Sequence, residues 1–229
     1  MIIKDTTLQG IRTMVRGEYA ARMGEISAKK VYDLIATTIT SNSAGNTYGW
    51  LDKFPKLRKW VGDRVIKSMK EKGYAILNEK YESTLGIERT DIEDDNLGIY
   101  KPLSQAQADA VVDFFNEEVA GLLKNGFATL CYDGQNFFDT DHPVYPNEDG
   151  TGVAVATSNI QGAGAGTPWF LMNLSSVLKP LIIQQRTLPE FDELTDPKSN
   201  DVVFMKDQFL YGIRYRGNFG YGFWQQAVA

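Results

Sequence analysis

The sequence predicts an α+β fold, and three observations carry that expectation. Apolar residues recur at helical spacing near the N-terminus and again over residues 104–125, while Val202 to Ala229 is dense in aromatic residues with strand-like spacing. Helical and strand-like stretches come in separate blocks, which argues against an alternating βαβ sheet. With 43% hydrophobic and 23% charged residues, a chain of 229 residues is expected to be folded over most of its length. A domain of that size buries roughly 70% of the surface its unfolded form exposes.

Leu8, Ile11, Val15, Tyr19 and Met23 step by three and four, predicting a first helix with Asp5, Thr6 or Thr7 as N-cap. Beyond Gly24, Ile26, Val31, Leu34 and Ile35 predict a second, which loses its period in TTITSNSAGN. In TYGWLDKFPKLRKWVGDR, Pro55 suits the first turn of a short helix and Gly62 its end, with Trp50, Phe54 and Trp60 as a concentrated apolar load. The stretch YESTLGIERTDI alternates as a strand does, with too few large apolar residues to form a core face alone.

Charge is segregated around that stretch. Residues 53–72 carry eight basic groups, among them Arg64 and Lys67, against two acidic ones. Residues 79–95 carry seven acidic groups, among them Glu82, Glu88, Asp94 and Asp95, against Lys80 and Arg89. Two arms of opposite sign suit a long hairpin paired across its strands, or one laid on a neighbouring subunit. A solvated hairpin is the plainer reading, its surface pairs contributing about 0–1 kcal/mol each.

The strongest helix follows, opened by Pro102, N-capped by Ser104 and stopped at Asn125-Gly126, with Val111, Phe114 or Phe115, Val119, Leu122 and Leu123 as its apolar stripe. Residues 127–166 are irregular and rich in glycine, asparagine and proline. PWFLMNLSSVLKPLIIQQR is strongly apolar, LPEFDELTDPKSND reads as a loop, and the remainder reads as two or three strands.

A single cysteine forms no internal disulfide, MIIKDTTLQG lacks the apolar core of a signal peptide, and no apolar run approaches the ~20 residues that span a bilayer. These features predict a soluble protein made in a cytoplasm, without a membrane partner. A net charge of −5 and a pI near 5.0 give no basic surface for bulk affinity to nucleic acid.

Candidate chemistry centres on DGQNFFDTDHPVYPNEDGTG, which holds the only histidine, His142, eleven residues past the only cysteine, Cys131. A Cys131/His142 nucleophile–base pair needs an orienting third group, for which Asp139 or Asp141 is available, but ATLCYDG matches no cysteine-enzyme signature. As metal ligands, Asp139, Asp141 and His142 fit neither HExxH nor an EF-hand, where Pro143 and Gly150 would occupy the fifth and twelfth positions. Aspartates beside proline and glycine commonly accept hydrogen bonds within turns. QGAGAGTPW lacks the following GK[ST] of a phosphate loop, and the adjacent Glu93, Asp94 and Asp95 read as structural. The aromatics from Phe209 to Trp224 have too few interleaved cations for a base-stacking platform. The residues therefore assign no catalytic, cofactor or metal site.

The blocks NTYGWLDKFPKLRKWVGDRV, IEDDNLGIY, CYDGQNFFDTDHPVYPNEDGTG, KPLIIQQR, VFMKDQFLYG and GYGFWQQAVA, in this order and spacing, resemble the major head subunit (major capsid protein) of Mu-like phages and prophages. The resemblance runs from about Ser41 to Ala229. It implies the Hong Kong 97-type capsid fold of tailed phages, with an N-terminal arm, an extended hairpin (the E-loop), a peripheral domain carrying a spine helix, and an axial domain. On this sequence the expected parts are residues 1–50 as arm and lead-in helices, and 51–100 as connecting segment and hairpin, the hairpin itself at about 62–98. Residues 101–126 would be the spine helix, 127–200 axial-domain material and loops, and 201–229 strands returning to the peripheral domain.

The implied function is structural and without a cofactor: self-assembly into hexamers and pentamers of an icosahedral head that encloses double-stranded DNA without sequence specificity. The implied location is the virion capsid, assembled in the bacterial host cytoplasm. Scaffold protein, maturation protease, portal and a decoration protein are the implied partners. Trp50, Pro55, Trp60, Arg64, Lys67, Glu82, Glu88, Asp94, Asp95, Phe137, Phe138, His142 and Arg186 are the expected subunit-contact or shape-holding residues. Family chains continue for several dozen residues past the segment matching FWQQAVA, and a chain lacking that part is expected to have an incomplete axial domain. Some capsids of this fold cross-link a hairpin lysine to a neighbour's asparagine; Lys67, Lys70 and Lys72 are available, but no motif supports that chemistry here. Two alternatives stand beside this reading: a small hydrolase or binding protein using Cys131/His142, and a prophage remnant that no longer assembles.

Overall fold

A computed structural model describes residues 5–51, 74–94, 97–147, 151–162, 166–195 and 201–229. The first helix forms as its spacing predicts: α1 spans Asp5–Glu25 and buries Ile11, Val15 and Tyr19. The expected second helix does not form. A 3-10 turn at Ile26–Lys29 and one helical turn, α2 (Tyr32–Ile35), lead into strand β1 (Ala36–Thr40), with Val31 and Leu34 left exposed. Thr37, Thr38, Ile39 and Thr40 are all β-branched, which penalises a helix and suits a paired strand.

Strand β2 (Gly45–Thr47) pairs antiparallel with β3 (Ala75–Leu77). The following strand, β4, covers Glu79–Glu88 and stops before the predicted RTDI continuation. Those residues wind into α3 (Arg89–Glu93), a turn that brings Ile92 into the same apolar cluster as Ile87. The predicted short helix at Pro55 and the first arm of the predicted hairpin lie outside the described residues.

The long helix α4 (Tyr100–Asn125) starts four residues earlier than predicted. Ser104 is not its cap: it is fully buried inside the helix, where its hydroxyl donates to the Tyr100 carbonyl at 2.8 Å. The 3-10 turn Leu97–Ile99 runs straight into the helix, so Pro102 falls in the first turn, where its missing N–H costs nothing. Ser104, Ala108, Val112, Phe115, Val119 and Leu123 form the buried stripe in steps of four and three. Val111 and Leu122 sit at its margins, only partly buried.

After α4 come β5 (His142–Val144) with its antiparallel partner β6 (Val155–Thr157), and the short β7 (Leu171–Met172). Strand β8 (Leu181–Leu194) corrects a second expectation, because LPEFDEL extends it where a loop was predicted. Thr187, Pro189, Phe191 and Glu193 are half-buried while Leu188, Glu190 and Asp192 are exposed, the alternation of a strand with one covered face. A third correction is VVFMK, which forms α5 (Asp201–Lys206) rather than a strand and buries Val203. Asp207, in the left-handed region at φ 52°, then turns the chain into β9 (Gln208–Tyr221). A 3-10 turn at Trp224–Gln226 and β10 (Ala227–Val228), antiparallel to β7, follow.

These elements divide into two compact units. The first comprises residues up to Val31, Glu79–Glu117 and Thr187–Arg216. Its strand order is β8-β9-β4, so the β8 segment carrying Pro189 is an edge among the described residues, a position that tolerates a missing N–H. Ile11, Val15, Ile87, Ile92, Tyr100, Val203, Phe209 and Tyr211 form its core. Burying each large apolar side chain contributes about 1.5–3 kcal/mol. Between α1 and α4, Arg22 makes a two-pronged pair with Asp109 at 3.0–3.3 Å, and Glu18 accepts from Lys101 and Gln105, both at 2.8 Å.

The second unit comprises Tyr32–Asn78, Glu118–Arg186 and Gly217–Ala229. Here β1 runs parallel to β8, Ala36 opposite Leu181 and Thr40 opposite Gln185. Gln184 is fully buried and paired at both ends of its amide. Its oxygen accepts from Tyr48 at 2.7 Å, and its nitrogen donates to the Ile76 carbonyl at 2.8 Å and to Asn78 at 2.7 Å. Gly220 faces Ile76 so closely that a Cβ would overlap that side chain.

Candidate functional site

The loop carrying the only histidine belongs to the second unit and is built around a tight turn. Leu130 and Asn136 bridge across it, Cys131 N–H donates to Gln135 O at 2.8 Å, and Gly134 takes φ 89°, where a side chain is disfavoured. Phe137 and Phe138 are fully buried. Phe137 stacks on Tyr221 at 4.7 Å, and Phe138 packs against Phe127 and Phe170 at 5.0 and 5.2 Å. The Phe138 ring also lies where a Cβ on Gly126 would come within 2.8 Å, so the glycine after α4 is required by packing.

Asp133 is the hub of the loop. Its Oδ1 accepts from the Gln135 N–H and the Cys131 thiol, each at 3.1 Å, and its Oδ2 lies 2.8 Å from His142 Nδ1. Burial alone would raise the Asp133 carboxyl, but the His142, Cys131 and Gln135 donors hold it below the usual carboxylate range. The Cys131 thiol is pushed strongly upward, first by burial and then by the adjacent carboxylate. His142 is fully buried and its ring lies flat on Trp224, centroids 3.9 Å apart.

A second hub is Asn159. Its side-chain nitrogen donates to the carbonyls of Phe137 (2.8 Å), Ala227 (3.3 Å) and Trp224 (3.5 Å), while its oxygen accepts from Asp139 N–H at 2.9 Å. Asp139 accepts from the N–H groups of Thr140 (2.7 Å) and Asn136 (3.1 Å), the turn-holding role its neighbours predict. Loop, C-terminal strand and 3-10 turn are thereby tied into one piece.

The chemistry open to this arrangement is limited by where the protons sit. His142 is hydrogen-bonded to the Asp133 carboxylate, and the Cys131 thiol donates to that same carboxylate, so the histidine is not paired with the sulfur as a nucleophile–base couple requires. Cys131, Asp133 and His142 offer ligand atoms within 4.8 Å of one another, a donor set zinc accepts, but the atoms are closed on each other by hydrogen bonds. The sequence offers Asp139 or Asp141 as the orienting partner of His142. The structure pairs it with Asp133, whose place in the Asp-Gly turn beside Cys131 was the available signal. Trp224 and Asn159 carried no signal of their role, because their partners are distant in sequence.

The other expected residues are dispersed. Trp50 packs edge-on against Phe223 (5.6 Å) and Tyr48 (6.1 Å) in the second unit, and Arg186 donates to the Ser41 carbonyl at 3.2 Å there. In the first unit, exposed Glu82 accepts from Thr84 at 2.7 Å, Glu88 pairs with Gln208, and Asp94 ends α3 with its N–H on Thr90 O. Pro55, Trp60, Arg64, Lys67 and Asp95 lie outside the described residues. A helix long and apolar enough to cross a membrane is absent among the described residues.

A family described as "Mu-like prophage major head subunit gpT" matches residues 8–229. The chain belongs to this family. It is 46% identical over 231 residues to the major capsid protein of Escherichia phage Mu, covering 100% of this chain and 75% of that one. It is 46% identical over 209 residues to the Mu-like prophage FluMu major head subunit of Haemophilus influenzae, covering 90% and 68%. Among solved structures, the procapsid of bacteriophage JBD30 matches 99% of this head subunit and 75% of its own chain, with 49% identity and a TM-score of 0.84. A JBD30 capsid decorated with minor capsid protein trimers matches 86% and 63%, with 38% identity and a TM-score of 0.65.

The head subunit therefore has the mixed helix-and-sheet fold of a phage capsid protein, and its family is structural rather than enzymatic. Asp133, His142, Trp224 and Asn159 link the loop to the 3-10 turn and the C-terminal strand.

Proposed function

We propose that the head subunit assembles as hexamers and pentamers into a closed icosahedral shell around double-stranded DNA, in the Hong Kong 97-type arrangement. The single observation that carries this reading is the match to the JBD30 procapsid over 99% of the chain at a TM-score of 0.84. In this arrangement residues 1–50 serve as arm and lead-in, about 62–98 as the extended hairpin, 101–126 as spine helix, 127–200 as axial-domain material, and 201–229 as the returning strands. Pro55, Trp60, Arg64 and Lys67 on the basic arm, with Glu82, Glu88, Asp94 and Asp95 on the acidic one, set register between subunits more than affinity. Trp50, Phe137, Phe138, His142 and Arg186 keep the shape those contacts need.

Scaffold, maturation protease, portal and decoration protein act on the shell in the host cytoplasm, and packaged DNA is held without sequence recognition. The head changes shape as it matures, with the hairpin and the spine helix shifting. Imaging precursor and mature heads with identical subunit shape would remove that step. Electron microscopy of the protein co-expressed with its scaffold tests the reading as a whole: closed shells are expected, and their absence contradicts it.

A further inference from the structure

Among the described residues, one group of three metal-ligating side chains comes together: Cys131, Asp133 and His142. All three are deep in the second unit. Cys131 is 5% exposed, and the side chains of Asp133 and His142 are 5% and 0% exposed. Only protons close the group. The thiol proton points to Asp133 Oδ1 at 3.1 Å, and a second lies between Asp133 Oδ2 and His142 Nδ1 at 2.8 Å. Tetrahedral zinc, with bonds of about 2.0–2.3 Å, holds its ligand atoms roughly 3.3–3.7 Å apart. Each of the two contacts therefore needs to open by only about 0.5 Å to admit the ion. The Asn136 carbonyl, 4.0 Å from the same sulfur, is at hand as a fourth donor. The ligands are also held in place by their neighbours, as metal ligands are. The Gln135 N–H holds Asp133 Oδ1 at 3.1 Å, and Trp224 lies flat against the imidazole. A thiolate beside an imidazole suits zinc, whereas calcium and magnesium take oxygen ligands.

We propose that Cys131, Asp133 and His142 form a structural zinc site that locks the loop after α4. On binding, zinc replaces the thiol proton, which leaves to solvent. The imidazole proton moves from Nδ1, which takes the metal, to Nε2, which has no hydrogen-bond partner among the described residues and is free to carry it. One proton is released per ion. A carboxylate, a thiolate and a neutral imidazole together carry two negative charges, which the ion cancels, so the buried site is neutral when filled. Because His142 also stacks on Trp224, the ion's hold extends from the loop to the 3-10 turn near the C-terminal strand.

Metal titration of the purified head subunit, first stripped with a chelator, tests it. One cobalt(II) ion per chain should bind with the near-ultraviolet charge-transfer band of a cobalt–thiolate bond, and zinc should displace it. The melting temperature should rise with added zinc, since an ion that binds the folded chain stabilises it by mass action. Cys131→Ala should lose both the band and the zinc-dependent rise, and Asp133→Asn and His142→Gln should each weaken zinc binding at least tenfold. A measurement on the wild-type chain alone stands apart from how well the variants fold. X-ray absorption at the zinc edge should show one sulfur at about 2.3 Å, and Cys131 is the only cysteine that can supply it. A wild-type chain without the cobalt–thiolate band, a zinc ion with nitrogen and oxygen ligands only or with two sulfurs, or an equal zinc-dependent rise in Cys131→Ala overturns the proposal.

Discussion

The imidazole of His142 lies on the indole of Trp224 with ring centroids 3.9 Å apart and planes 8° from parallel, while its Nδ1 sits 2.8 Å from the Asp133 carboxylate. One ring thus joins the loop after α4 to the 3-10 turn near the C-terminal strand. Trp224→Ala removes both the stack and a buried indole, and is expected to cost about 3–5 kcal/mol in urea denaturation. A loss below about 1 kcal/mol would mean the stack carries no weight.

Asp133 sets an acid limit on stability. Its folded carboxyl titrates below the ordinary value, so its contribution is present above the unfolded value of about 3.9 and is lost as pH falls through the folded one. Asp133→Asn should therefore be less stable than the parent at pH 7, and the difference should shrink below about pH 4. A difference independent of pH would show that charge is not what Asp133 contributes.

Cys131 sets a limit in the other direction. Its folded thiol titrates far above the ordinary value, so its contribution is fully present below the unfolded value of about 8.5 and is lost as pH rises beyond it. Cys131→Ala should flatten the stability profile between about pH 8.5 and 10. The native thiol should also react with a disulfide reagent only after urea is added, and rapid reaction of the native chain would contradict its burial.

Glycines at close approaches give a steric test. Gly126→Ala places a Cβ within 2.8 Å of the Phe138 ring, and Gly220→Ala overlaps Ile76. Each is expected to cost about 1–3 kcal/mol by overpacking, whereas an alanine at Gly121, inside α4 with open space around its Cβ, should stabilise by about 0.5–1 kcal/mol.

Asn159→Ala leaves the Phe137 and Ala227 carbonyls and the Asp139 N–H without their partner. Each buried group left unpaired costs about 1–3 kcal/mol, so this substitution should rank above Arg22→Ala, whose pair with Asp109 is partly exposed and screened by solvent. The reverse order in a thermal melt would refute the hub role of Asn159.

What the sequence revealed follows from where each element finds its partners. Helices α1 and α4 were legible because one buried stripe at helical spacing decides them locally, and β9 because its alternation is unbroken over most of its length. Strand β8 past Pro189 and helix α5 were not, since edge pairing and the burial of Val203 override local breakers and β-propensity. In the loop, the turn-holding role of its aspartates was legible from local chemistry, whereas the burial of Phe137 and Phe138 was expected only from the resemblance to the family. The pairing of His142 with Asp133 and Trp224 was not legible, because no local spacing encodes a contact closed by the C-terminal strands.

The most direct test of the central claim is particle size, measured by electron microscopy and light scattering on the purified head subunit with scaffold co-expressed. Shells, capsomers or tubes built from many copies are expected. A stable, monodisperse monomer would contradict it.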